Sequence, residues 1–150
     1  MDSPHRRPPF YYTLVFVLLG GLCAGCAGQA APTSANITAE LFSGRADNPA
    51  WSLSAAETSL LVAKLAALPP TQQLPPPPQL GYRGMQIELV DAGGRVSQRL
   101  HADQGLVARE TAQGTQYYAD PQRSIERWLL SIGQPQLDPG IYQIIEAALP

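Results

Sequence analysis

Six of the ten residues from Pro69 to Pro78 are proline. Each proline lacks an amide donor and fixes φ near −65°, so neither a helix interior nor a central strand can run through this stretch. Any core must be assembled from the segments on either side of it. Prolines at this density form an extended polyproline II strut without internal hydrogen bonds. A spacer is the expected role, and a recognition site for a proline-binding domain is the alternative.

Upstream of the strut, Ser54-Ala55-Ala56-Glu57 is a capping box, in which the serine oxygen accepts an amide bond while the glutamate reaches back. The helix it opens is expected to run to about Leu68, with Leu61, Leu65 and Leu68 along one face and Pro69-Pro70 as the stop. Ile37 to Phe42 alternates loosely and predicts a first strand. Ser43-Gly44-Arg45-Ala46-Asp47-Asn48-Pro49 is turn chemistry, with Trp51 just beyond it.

Downstream, Met85, Ile87 and Leu89 alternate with Gln86 and Glu88, and Gly93-Gly94 turns the chain into a second strand, Arg95 to His101. Leu106 to Glu110 and Thr115 to Ala119 predict two more strands. Asp120-Pro121 and Asp138-Pro139 each look like an N-cap followed by proline at the first helical position. Ile125, Trp128, Leu129 and Ile132, then Ile141, Ile144, Ile145 and Ala148, follow at helical spacing. The expected class is α+β: a small antiparallel sheet of three to five strands packed against two or three helices.

The N-terminus supplies an address. Arg6 and Arg7 give a positive start, and Thr13 to Leu22 is an apolar run too short for a membrane span, which needs about 20 residues. Leu22-Cys23-Ala24-Gly25-Cys26 resembles a lipobox, with small residues before a cysteine that becomes the acylated N-terminus. Cys26 fits that role, although Cys23 stands where an aliphatic residue is usual. The alternative is a plain secretory signal cut near Ala27 or Ala30. The expected organisation is a signal peptide over 1–25, a flexible tether over 26–36 and one domain over 37–150 that includes the proline segment 69–78. Lipid on Cys26 would hold the chain to a membrane. Ala27, in place of the aspartate that marks inner-membrane retention, implies an outer-membrane address in a Gram-negative cell.

Composition narrows the chemistry. The 150 residues are 45% apolar and 15% charged, with formal net charge −2, so neither wholesale disorder nor a nucleic-acid partner is expected. With two histidines and two cysteines in the whole chain, no metal cluster and no cofactor are expected. His101, near Asp103, could serve as a general base or metal ligand, but a solvated strand-end histidine is the simpler reading. Glu88, Asp91, Asp103 and Glu110 could supply a carboxylate pair, yet they occupy polar strand positions and hairpin ends where solvated charge is ordinary. Tyr117 and Tyr118 must face opposite ways on a strand, so one belongs to the core and one to the sheet face.

The most distinctive side chains sit in two glycine-flanked segments: Arg45 through Trp51, and Leu80-Gly81-Tyr82-Arg83-Gly84. Arg45, Trp51, Tyr82 and Arg83 together form a candidate binding surface, since arginine and aromatic residues lead interface hot spots. The structural alternative has Trp51 stapling the capped helix and both arginines bonding loop carbonyls. Leu41-Phe42-Ser43-Gly44-Arg45, Asn48-Pro49-Ala50-Trp51-Ser52-Leu53 and Leu80-Gly81-Tyr82-Arg83-Gly84 resemble a motif set of bacterial secreted proteins. In those proteins Ser-Gly-Arg-Pro-Asn-Pro precedes the tryptophan, whereas Ala46-Asp47 stands here in place of the proline. The resemblance spans roughly residues 40 to 90 and implies secretion, with no catalytic residue.

These observations lead to a non-enzymatic cell-envelope lipoprotein that meets a protein or cell-wall partner. The competing expectations are a small envelope hydrolase using Glu88, Asp103 or His101, and an enzyme inhibitor.

Overall fold

The computed structural model describes residues 31–41, 48–77 and 80–149. Cys26, Arg45, the signal segment and the first five residues of the tether lie outside them.

The fold is α+β. Seven strands form one antiparallel sheet: β1 (Ser34–Leu41), β2 (Ala50–Leu53), β3 (Pro70–Thr71), β4 (Tyr82–Val90), β5 (Val96–Asp103), β6 (Leu106–Thr111) and β7 (Gly114–Ala119). Their order across the sheet is β2-β1-β4-β5-β6-β7-β3. Three helices, α1 (Ala55–Ala66), α2 (Ser124–Gly133) and α3 (Pro139–Ala147), pack against one face. The sheet is therefore larger than the three to five strands expected. The additions are β2 and β3, four and two residues long, too short for alternation to register in sequence. β3 is formed by the start of the proline segment. It is an edge position, where a missing amide is tolerated, and the Pro69 carbonyl accepts from Ala119 N at 2.9 Å. The strut is thus sheet at its first residues, and β1 begins within the segment read as tether.

The capping box forms as spaced: Ser54 Oγ accepts from Glu57 N at 3.3 Å, and Ser54 N donates to Glu57 Oε2 at 2.7 Å. Asp138 likewise caps α3 by accepting from Gly140 N and Ile141 N. α2 departs from expectation. Asp120-Pro121 lies in a turn, and the helix starts at Ser124 after Arg123, whose φ of 52° is left-handed. Asp120 still serves the helix from that distance, accepting from Ser124 N and Ile125 N at 2.9 Å each.

The core lies between sheet and helices. Ile37, Met85 and Ile87 from the sheet meet Leu61, Ile125, Leu129 and Ile145 from the helices, all fully buried. Each such side chain contributes roughly 1.5–3 kcal/mol on burial. Within this core runs a polar chain: Tyr82 OH donates to Glu126 Oε1 at 2.9 Å, and Arg123 grips the same carboxylate through Nε at 2.9 Å and a terminal nitrogen at 2.8 Å. The other terminal nitrogen of Arg123 donates to the Ala148 carbonyl at 2.7 Å, tying β4, α2 and the end of α3 together. Burial, followed by the Glu126 charge, pushes the Tyr82 phenol well above its ordinary range.

Candidate groove on the open sheet face

The face of the sheet away from the helices carries the polar half of each alternating strand. Register brings Gln86 beside His101, His101 beside Ala108 and Ala108 beside Tyr117 across four neighbouring strands. One residue row further along, Glu88 stands beside Arg99, with Glu110 and Thr115 opposed on β6 and β7. Pro75 and Pro76 of the strut come to the same place, and the resulting groove has a volume of about 490 Å³. Glu40, Arg83, Arg99, His101, Asp103 and Tyr117 line it, over apolar Leu106 and Ala108.

One irregularity in β4 shapes this groove. Ala39 pairs with Met85 and Leu41 with Tyr82, so two steps on β1 face three on β4. The extra residue is a β-bulge at Arg83-Gly84, and it keeps both Tyr82 and Met85 on the core side while Arg83 reaches the open side. Gly84 has φ of 107°, and a Cβ there would stand 2.5 Å from the Ala102 carbonyl oxygen and 3.0 Å from His101 Nε2. The glycine therefore leaves a hollow in β4 across which His101 of β5 reaches Glu40 of β1. Their Nε2 and Oε2 atoms are 3.5 Å apart. Nε2 itself is buried and has no hydrogen-bond partner.

The expected surface of Arg45, Trp51, Tyr82 and Arg83 is not assembled as one patch. Trp51 is only 4% exposed and lies on the core side of β2. Tyr82 is 9% exposed and spent on Glu126, so both aromatics are core residues. The physical reason for the Tyr82–Arg83 separation is strand geometry, since neighbouring residues leave a strand in opposite directions. Of the three described members, Arg83 alone is placed in the groove.

The carboxylates divide similarly. Asp103 and Glu110 line the groove with His101, whereas Glu88 accepts from Arg99 Nε at 3.0 Å. Asp91 closes the β4–β5 hairpin by accepting from Gly93 N at 2.8 Å and Arg95 N at 3.0 Å. The Arg95 amide foremost holds its carboxyl below the usual range. Asp103 accepts from Gln104 Nε2 at 3.1 Å and stands 4.0 Å from Arg123, linking groove and helical layer. Among the described residues, no group of three or more histidine, cysteine or acidic side chains is placed to hold a metal.

Tyr117 faces the groove and Tyr118 the opposite side, against the core and the Arg109 guanidinium. Glu40, Gln86 and Arg99 were not singled out by sequence. Their signal was present as polar parity on β1, β4 and β5, but only the strand order shows that those parities converge. Comparison with family models, curated proteins and solved structures finds no match to this chain.

Proposed function

We propose that this chain is a cell-envelope lipoprotein, acylated on Cys26, that acts as a non-enzymatic binding module through its open sheet face. The observation that carries the binding half is the groove, where arginine, histidine, carboxylate and tyrosine side chains converge over an apolar floor. The lipobox-like Leu22-Cys23-Ala24-Gly25-Cys26 carries the anchoring half, and Ala27 favours the outer membrane in a Gram-negative host. The resemblance of Leu80-Gly81-Tyr82-Arg83-Gly84 to a motif of secreted proteins accords with that address. The lipid would be the membrane contact, leaving the domain free to meet a protein or cell-wall component.

Two measurements test this. Mass spectrometry of the mature N-terminus should find an acylated Cys26, and Cys26→Ser should move the protein to the soluble fraction. Capture from envelope extract should retain a ligand or partner with the unaltered protein and lose it with Arg83→Gln. A soluble native protein overturns the anchor, and identical capture by both forms overturns the surface.

A second reading has one observation in its favour: His101 and Glu40 are in contact in a groove that also holds Asp103. In a hydrolase, the carboxylate would orient the imidazole as a general base. Release of soluble fragments from cell wall by the unaltered protein, lost with His101→Gln, would establish it.

A further inference from the structure

The arginines of this domain are not all matched alike. Arg99 is bonded to Glu88, Arg123 to Glu126 and Arg95 to Asp91, at 3.0, 2.8 and 3.2 Å. Arg83 is half-buried in the groove wall and, among the described residues, its side chain makes no hydrogen bond, ion pair or ring contact. A guanidinium partly withdrawn from water without an anion is an unfavourable arrangement, and its planar fork fits a carboxylate with two parallel bonds.

The rest of the groove specifies what carries that carboxylate. Ala108 lies between His101 and Tyr117 in the ladder, so a methyl floor separates an imidazole from a phenol. The imidazole leans away from that floor, over Gly84 toward Glu40, so the methyl and the Tyr117 ring leave an open platform on which one ring can rest. The side chains of Gln86 and Glu110, close by, make no hydrogen bond among the described residues and offer both donors and acceptors.

An extended peptide fits this site poorly. β4, β5 and β6 have neighbours on both sides, and their main-chain groups are used in the ladders. A peptide laid across this face would find no backbone strand to pair with. A polyhydroxylated ring needs no such partner, because its hydroxyls bond to side chains and its C–H face rests on an aromatic ring.

We infer that the groove binds an acidic oligosaccharide, with a sugar carboxylate held by Arg83 and a neighbouring ring seated over Ala108 against Tyr117. This rests on the open face being the binding surface. The test is calorimetric titration of the full-length chain with tetragalacturonate, cellotetraose and tetraglutamate. Tetragalacturonate should bind, with cellotetraose at least about tenfold weaker, the loss expected when a charge-assisted pair is absent. Arg83→Gln and Tyr117→Ala should each weaken tetragalacturonate by about tenfold or more with unchanged thermal midpoints, and Lys64→Ala on the helical side should not. Equal affinity for cellotetraose, preference for tetraglutamate, or no saccharide binding would each overturn the assignment. If saccharides fail while Arg83→Gln still abolishes capture from envelope extract, the binding surface stands and only the ligand class falls. If Arg83→Gln changes neither, both fall.

Discussion

The indole of Trp51 lies so close over Gly133 that a Cβ on that glycine would stand 2.7 Å from the ring's Cε2 atom. The contact joins β2, at one edge of the sheet, to the last residue of α2. It gives the tryptophan a packing role at the meeting of the two layers, in place of the surface role its loop-like sequence context suggested.

Gly133→Ala should therefore destabilise the domain, although alanine favours helix by about 1 kcal/mol relative to glycine. The ring is nearly fully buried and cannot yield, so overpacking should outweigh propensity by a net of about 1–3 kcal/mol. Urea unfolding of the two forms checks this. A midpoint raised by the substitution would mean that the indole has room to move.

The Tyr82–Glu126–Arg123 chain predicts a graded response. Tyr82→Phe removes one donor and leaves Glu126 held by Arg123, at a cost of about 1 kcal/mol. Glu126→Leu leaves the mostly buried Arg123 guanidinium without its carboxylate and should cost about 3–5 kcal/mol. The phenol also sets a pH limit. Its folded pKa is raised, so above an unfolded value of about 10 the unfolded chain binds fewer protons than the folded one. Its contribution is complete below that pH and falls as pH rises beyond it. Unfolding midpoints from pH 8 to 11 should fall more steeply for the unaltered protein than for Tyr82→Phe.

At the acid end, the α1 capping box makes the opposite prediction. The Ser54 side chain foremost, then its backbone amide, hold the Glu57 carboxyl below its ordinary range. That contribution is present above the unfolded glutamate pKa and is lost as pH falls through the lower, folded value. Ser54→Ala should cost about 1 kcal/mol at neutral pH. Titration of Glu57 by NMR should show its pKa rising in the variant, and an unmoved value would exclude the bond that the Ser54 hydroxyl donates to this carboxylate.

These sites differ in how far they could be read from sequence, and the difference is one of range. Ser54 and Glu57 are three residues apart, and Asp138 precedes Pro139, so the bonds that define those helix starts are local. Met85, Ile87 and Leu89 carried the core face of β4 in plain alternation. Trp51 did not show its place, because β2 is a strand only through its pairing with β1. Tyr82 and Arg83 looked like one loop patch, because the strand that sends neighbours to opposite faces starts at Tyr82, and the bulge that keeps Tyr82 on the same side as Met85 exists only in the register between β1 and β4. Asp120 was read as the adjacent cap of α2, but the left-handed Arg123 lets it act from four residues before Ser124. The groove was the least legible feature, since Glu40 and His101 meet across a strand that lies between theirs.

That meeting depends on Gly84, and a neighbouring glycine makes the dependence measurable. Gly81 and Gly84 have similar left-handed backbones, with φ of 100° and 107°. A Cβ on Gly81 would touch nothing within 4 Å, whereas one on Gly84 would press on the Ala102 carbonyl and the His101 imidazole. Gly81→Ala should then carry only the backbone cost, about 1–2 kcal/mol. Gly84→Ala adds the steric conflict and should reach about 2–5 kcal/mol. The second readout is local: the His101 ring resonances should shift in Gly84→Ala and stay in place in Gly81→Ala, because only the former fills the hollow beneath the imidazole. Equal losses of stability with unmoved His101 resonances in both variants would show that the bulge, and not the hollow, is what the glycine provides.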